Sequence, residues 1–164
     1  MSEPRSPSTP GPPLTRHEID ELYGIALAEG LRAGISVLSG PAEPRAADDT
    51  EDTLIAAMQQ LHEEGAGSVI VSRADSPSLP LLDGDAFVVE MPALEAADTR
   101  GAGDSMTAGV TAVLARNRDL RDAVRTGAAA GGLNVTRHGL GSGRADAIAE
   151  LIPRIRIEPY KREE

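Results

Sequence analysis

The sequence predicts an α/β fold in which helices flank a mainly parallel sheet, and three observations lead there. Segments with helical apolar spacing alternate with short apolar runs: Leu14–Gly30 precedes Ile35–Leu38, and Thr53–Glu64 precedes Val69–Val71. Apart from Ser36 those short runs are apolar throughout, as in strands covered on both faces. Only Phe87, Tyr23 and Tyr160 are aromatic among 164 residues that include 17 glycines, so the core must be built from Ala, Val, Leu and Ile and joined by tight turns.

The length suits one domain of ordinary size, and 40% hydrophobic with 26% charged residues matches a globular chain. Sixteen basic against 26 acidic residues leave a net charge of −10. That balance argues against nucleic acid or an anionic membrane as partner, since both attract a positive field. The absence of cysteine removes disulfides, thiolate catalysis and thiolate zinc sites, and suits a reducing, cytoplasmic setting. Lys161 is the single lysine beside fifteen arginines, so a phosphate-binding lysine of the Walker type has no candidate in the body of the chain.

Residues 1–13 hold five prolines and no apolar run, and read as a disordered tail rather than a signal peptide. The domain is expected over 14–160, with a charged tail at 161–164. From Leu14 to Gly30, Ile19, Leu22, Ile25 and Ala26 recur at helical spacing; Thr15 and Glu18 form a capping-box pattern, and Gly30 supplies a stop. Ile35–Leu38 reads as a strand and residues 41–49 as a loop. The helix at 53–64 carries Leu54, Ala57, Met58 and Leu61 on one stripe, and Val69–Val71 is the next strand. Leu79–Leu82 and Ala86–Val89 flank Asp83-Gly84-Asp85, the signature of a β-hairpin. A long helix begins at Asp104, with Met106, Val110, Val113 and Leu114 on one face. Another spans Leu120 to about Asn134. Residues 137–144 form a glycine loop, 145–151 a short helix and 155–157 a last strand. No segment approaches the ~20 apolar residues that cross a bilayer.

The most informative stretch for chemistry is Gly101-Ala102-Gly103-Asp104, at the mouth of a helix. Small residues let a ligand approach the main chain, and the first N–H groups of a helix lack internal partners while the helix dipole adds positive potential. Such a mouth receives anions, phosphate above all. A carboxylate placed there needs a reason. Phosphoryl transfer supplies one: it requires a group that accepts the proton of the attacking hydroxyl, beside donors that stabilise the transferring group. Asp104 has the position of that base and the backbone of Gly101 to Gly103 that of the donors. The same residues also suit an ordinary loop closed by an Asp N-cap. No Gly-Lys-Ser/Thr is present, and Met106 replaces the third glycine of a dinucleotide loop.

Asp98-Thr-Arg-Gly-Ala-Gly-Asp104, followed by Ser-Met-Thr-Ala-Gly109, resembles the C-terminal signature of the ribokinase-like (PfkB) carbohydrate kinases. Gly127-Ala-Ala-Ala-Gly-Gly-Leu-Asn-Val-Thr-Arg-His-Gly-Leu140 and Val69-Ile-Val-Ser-Arg-Ala74 are similar to the same family, as is Leu38-Ser-Gly-Pro41 more weakly. Within it the chain most resembles bacterial 1-phosphofructokinases, densely over about 65–150. The resemblance implies a partial ribokinase-like three-layer sandwich, ATP and Mg2+ as cofactors, and a sugar-phosphate substrate. That substrate is expected to be D-fructose 1-phosphate, with tagatose 6-phosphate or a non-catalytic nucleotide-binding module as alternatives. It implies Asp104 as catalytic base and Gly101, Ala102 and Gly103 as the anion hole. The nucleotide would meet Ser72, Ala74 and Pro77 in the loop after the strand, Gly103 and Asp104, and small residues at Ala128 and Gly131. Tight helix packing accounts equally well for the last two. Asp98, Arg100, Asn134, Arg137 and Gly139 fall where some relatives bind a monovalent cation. Family members are substantially longer, and the Asn-x-x-Glu motif that helps place their magnesium is absent, since Asn117 and Asn134 are the only asparagines. Exposed sheet edges then predict self-association or a homodimer.

Other groupings carry less. His17, His62 and His138 share no ligand spacing, the acidic run 48–52 lacks the glycine and terminal glutamate of a calcium loop, and no Gly-x-Ser-x-Gly elbow occurs.

Overall fold

The computed structural model describes residues 14–30, 32–33, 35–36, 50–73, 76–137 and 143–161. The chain divides into two compact units, residues 1–36 and 37–164. The expected tail at 1–13, the loop at 41–49, the second half of the strand expected at 35–38 and the centre of the glycine loop lie outside the described residues, as do 162–164; Ile35 and Ser36 are not in a strand.

The first unit is built on α1 (Arg16–Gly30). Its capping box closes as the sequence predicts. The Thr15 backbone N–H donates to Glu18 Oε2 at 2.7 Å, and the Glu18 N–H donates back to Thr15 Oγ1 at 3.3 Å. Hydrogen bonding to Thr15, its backbone first, holds the Glu18 carboxyl below its usual range. Leu22 and Ile25, on the apolar stripe, are nevertheless exposed.

The second unit contains α2 (Glu51–Glu63), β1 (Ser68–Val71), β2 (Leu79–Leu82), β3 (Asp85–Glu90), α3 (Ala102–Leu114), α4 (Leu120–Val135), α5 (Ala145–Leu151) with a 3-10 turn at Ile152–Arg154, and β4 (Arg156–Pro159). The four strands form one sheet in the order β1-β2-β3-β4, and every pairing is antiparallel. The parallel pairing expected from helix–strand alternation does not occur among the described strands. Only a crossover connection permits parallel neighbours, whereas residues 72–78 and the two-residue turn Asp83-Gly84 are too short for one. Asp83 (φ 53°) and Gly84 (φ 89°) both take positive φ, as a tight hairpin turn with the twist of its strands demands.

The continuous apolar strands have a simple cause: both faces of this antiparallel sheet are covered. Leu79 and Leu81 pack with Ile55 and Met58 of α2 on one face. Leu82, Phe87 and Val89 pack with Val124, Ala128 and Ala129 of α4, and with Leu151 and Ile155, on the other. The layers are therefore α2, the sheet, and α4 with α5, an α/β sandwich of three layers. Helix α3 lies on α4 through bare backbone: a Cβ on Gly109 would sit 2.8 Å from Gly127 Cα, and one on Gly131 would sit 3.0 Å from the Ala102 carbonyl oxygen. No described helix is long and apolar enough to cross a membrane.

Candidate active site

Helix α3 begins two residues earlier than the sequence pattern suggests. Gly101 is its N-cap, with φ 74° and ψ 8°, and no side chain caps the end. Glycine adopts this left-handed conformation without the Cβ clash that other residues meet. Asp104 is thus the third helical residue, in the first turn, rather than the cap. Of the first-turn amides, Ala102 N–H reaches Thr99 O at 3.4 Å. Those of Gly103 and Asp104 have no acceptor among the described residues. Asp104 is exposed, and among the described residues no donor or cation holds its carboxylate. A free acid therefore stands beside free amides at the positive end of a helix.

The loop after β1 comes to the same place. The Ser72 Oγ lies 4.0 Å from the point that a Cβ on Gly103 would occupy, and that space is otherwise open. Arg73 fixes the loop from behind: Nε donates to Pro77 O at 2.7 Å and Nη2 meets Glu51 Oε1 at 2.6 Å, at the start of α2. Neither residue announces this contact in the sequence, since a lone Arg after a strand gives no periodic signal. Pro77 is exposed on this loop, and Ala74 lies outside the described residues.

The segment leading into Gly101 is tied to the C-terminal end of α4. The N–H groups of Ala97 and Asp98 donate to Val135 O at 2.8 and 3.1 Å. Asn134 Nδ2 donates to Arg100 O at 2.7 Å. Asn134 is 1% exposed, and its Oδ1 has no partner among the described residues. The Arg100 guanidinium grips Asp98, with Nε 3.0 Å from Oδ1 and Nη2 2.8 Å from Oδ2, and this pairing raises the Arg100 pKa. As a monovalent-cation site these residues fit poorly. The Asp98 carboxylate is already neutralised by a guanidinium, Arg100 O accepts from Asn134, and Asn134 O accepts from Arg137 N–H at 3.2 Å. Gly139 lies outside the described residues. Of the two small residues expected near the adenine, Ala128 is packed in the core against the sheet and Gly131 abuts Ala102 and Met106 of α3. Among the described residues no group of three or more His, Asp or Glu could hold a metal ion.

The pfkB family carbohydrate kinase model matches residues 5–147. The chain belongs to the pfkB family of carbohydrate kinases. Its fold is shared with phosphofructokinase-2 of Escherichia coli in complex with potassium, at 29% identity and TM-score 0.59, over 64% of this chain and 34% of that one. A ribokinase of Thermotoga maritima matches at 25% identity and TM-score 0.57, over 62% and 35%. A second Thermotoga maritima protein, described as a possible 1-phosphofructokinase, matches at 16% identity and TM-score 0.60, over 69% and 36%, which speaks for the fold alone. No curated protein matches the chain. The pfkB chain thus spans about a third of the length of these solved relatives and shares the partial ribokinase-like fold.

Proposed function

We propose that this chain carries the phosphoryl-transfer half of an ATP-dependent sugar-phosphate kinase, with D-fructose 1-phosphate as the acceptor that yields the 1,6-bisphosphate. The observation that carries this reading is the uncapped start of α3, where the free Gly103 and Asp104 amides stand next to the exposed Asp104 carboxylate. In the proposed step Asp104 accepts the proton of the acceptor hydroxyl as its oxygen bonds to the γ-phosphorus. The bond from that phosphorus to the β–γ bridging oxygen breaks, and ADP leaves with the electron pair. The free amides of Gly103 and Asp104, within the Gly101–Gly103 turn proposed as the anion hole, stabilise charge on the equatorial oxygens. Ser72 and Pro77, fastened by Arg73, border the triphosphate. Mg2+ would enter on the nucleotide's phosphates, supplying charge neutralisation, in keeping with its preference for phosphate ligands over all-protein cages. Phosphofructokinase-2 and ribokinase among the structural relatives support a sugar or sugar phosphate as acceptor.

The test is a coupled assay of ADP release by purified protein with fructose 1-phosphate, tagatose 6-phosphate or no acceptor. ADP release that depends on fructose 1-phosphate supports the reading. Release only with tagatose 6-phosphate moves the substrate. ATP binding with no acceptor-dependent release makes the chain a nucleotide-binding module and overturns the catalytic proposal.

A further inference from the structure

Within the buried face of α4 every neighbour of Asn134 is small or apolar: Ala128, Ala129, Ala130, Gly131 and Gly132 precede it. An amide in such a place is held for one of its bonds, because a buried polar atom without a partner is costly and Oδ1 has none among the described residues. The bond it does make is specific. Nδ2 donates at 2.7 Å to the carbonyl of Arg100, the residue immediately before the N-cap.

That carbonyl belongs to the peptide plane that Arg100 shares with Gly101. Pinning its oxygen fixes the rotation of the plane, and with it the direction of the Gly101 N–H and the path by which the chain enters α3 at φ 74°. Gly101 alone could not hold that direction, since glycine visits many conformations at little cost. Two further bonds, from Ala97 and Asp98 N–H to Val135 O, hold the upstream chain to the same turn of α4. Downstream, Gly131 lets the Ala102 carbonyl approach one turn earlier on that helix. The last turns of α4 thus form a rigid backing against which the first turn of α3 is set.

We infer that Asn134 is a positioning residue for phosphate binding: through the Arg100 carbonyl it presets the amides of the Gly101–Gly103 turn for a nucleotide's terminal phosphoryl group. The inference rests on the reading of that turn as the γ-phosphate cradle. It takes the side chain as a hydrogen-bond donor to the protein rather than as a ligand of any ion. A preset donor array discriminates between ligands that do and do not reach it. ADP ends one phosphate short, so loss of the clamp should weaken ATP and spare ADP.

The experiment is calorimetric titration of the whole chain, wild type and Asn134→Ser, with MgATP and MgADP, with thermal melting alongside. Serine keeps a hydroxyl but is too short to reach the carbonyl. The expected result is about a tenfold loss of ATP affinity, with ADP affinity unchanged within about twofold. Equal affinities in both proteins, or equal losses for both nucleotides, overturn the inference, the second because a general structural role would act on both. If Asn134→Ser does not fold, the Asn134 side-chain NH2 resonances of 15N-labelled wild type decide. They should shift with ATP and not with ADP; if they stay still while the Gly103 amide shifts, the inference fails. If the wild type binds neither nucleotide, the reading of the cradle itself fails and takes the inference with it, an outcome distinct from all the others.

Discussion

Gly109 of α3 and Gly127 of α4 face each other without side chains between them, and a Cβ on Gly109 would lie 2.8 Å from Gly127 Cα and 3.0 Å from Thr126 O. Real Cβ atoms do not approach backbone so closely, and neither partner can swing aside. The two helices are therefore packed at backbone contact, which sets the depth at which the start of α3 stands above the sheet. Gly109→Ala should cost about 1–3 kcal/mol through overpacking. Urea denaturation monitored by circular dichroism measures it. A variant as stable as the wild type would mean that α3 and α4 are not in backbone contact.

Gly103 offers the opposite case. Its Cβ would meet nothing closer than Ser72 Oγ at 4.0 Å. Gly103→Ala should then keep or raise stability, by about 0.5–1 kcal/mol for the usual helical gain of alanine over glycine. The added methyl nevertheless enters the space between the turn and the β1 loop, so ATP binding should weaken. Melting and ATP titration of one variant read both effects; tighter ATP binding would place the nucleotide elsewhere.

Gly101→Ala tests the turn itself. At φ 74° an alanine bears a left-handed penalty of about 1–2 kcal/mol. Denaturation should show that loss, and an unchanged midpoint would mean that the residue is not held in this conformation.

The capping box of α1 gives a pH prediction. Hydrogen bonds from Thr15 lower the Glu18 pKa in the folded chain. The folded state therefore binds the proton less readily than the unfolded one. The stabilisation is full above the ordinary carboxylate range and is lost as pH falls through the lowered folded value. Glu18→Gln should reduce the helical signal at neutral pH, and the difference from wild type should shrink as acid protonates Glu18. A difference that persists in acid would assign the helix start to something other than this pair.

Where local chemistry decided the structure, the sequence was readable. Thr15 with Glu18, the Asp83-Gly84 turn, α5 at Ala145–Leu151 and α4 from Leu120 all follow from caps, turn residues or apolar spacing. Strand direction was not readable, because continuous apolar runs report only that both faces are covered, and here α2 and α4 cover an antiparallel sheet. Pro80 in the middle of β2 would also have argued against a central strand. The start of α3 was misplaced because Asp attracts an N-cap assignment, while Gly101 takes the cap by its backbone alone. For the candidate site, the turn and Asp104 were legible in order along the chain. The fastening by Arg73 to Glu51 and by Asn134 to Arg100 was not, since both join residues far apart in sequence and neither leaves a spacing pattern.

The central claim is that Asp104 takes a hydroxyl proton beside amides that hold the transferring phosphoryl group. Asp104→Asn keeps the side chain's shape and removes the base. Its effect on fructose 1-phosphate-dependent ADP release, read together with ATP affinity, is the most direct measurement. Turnover should fall by about 10²–10⁴-fold while ATP binds as before. Turnover that survives the substitution at the wild-type rate would contradict it.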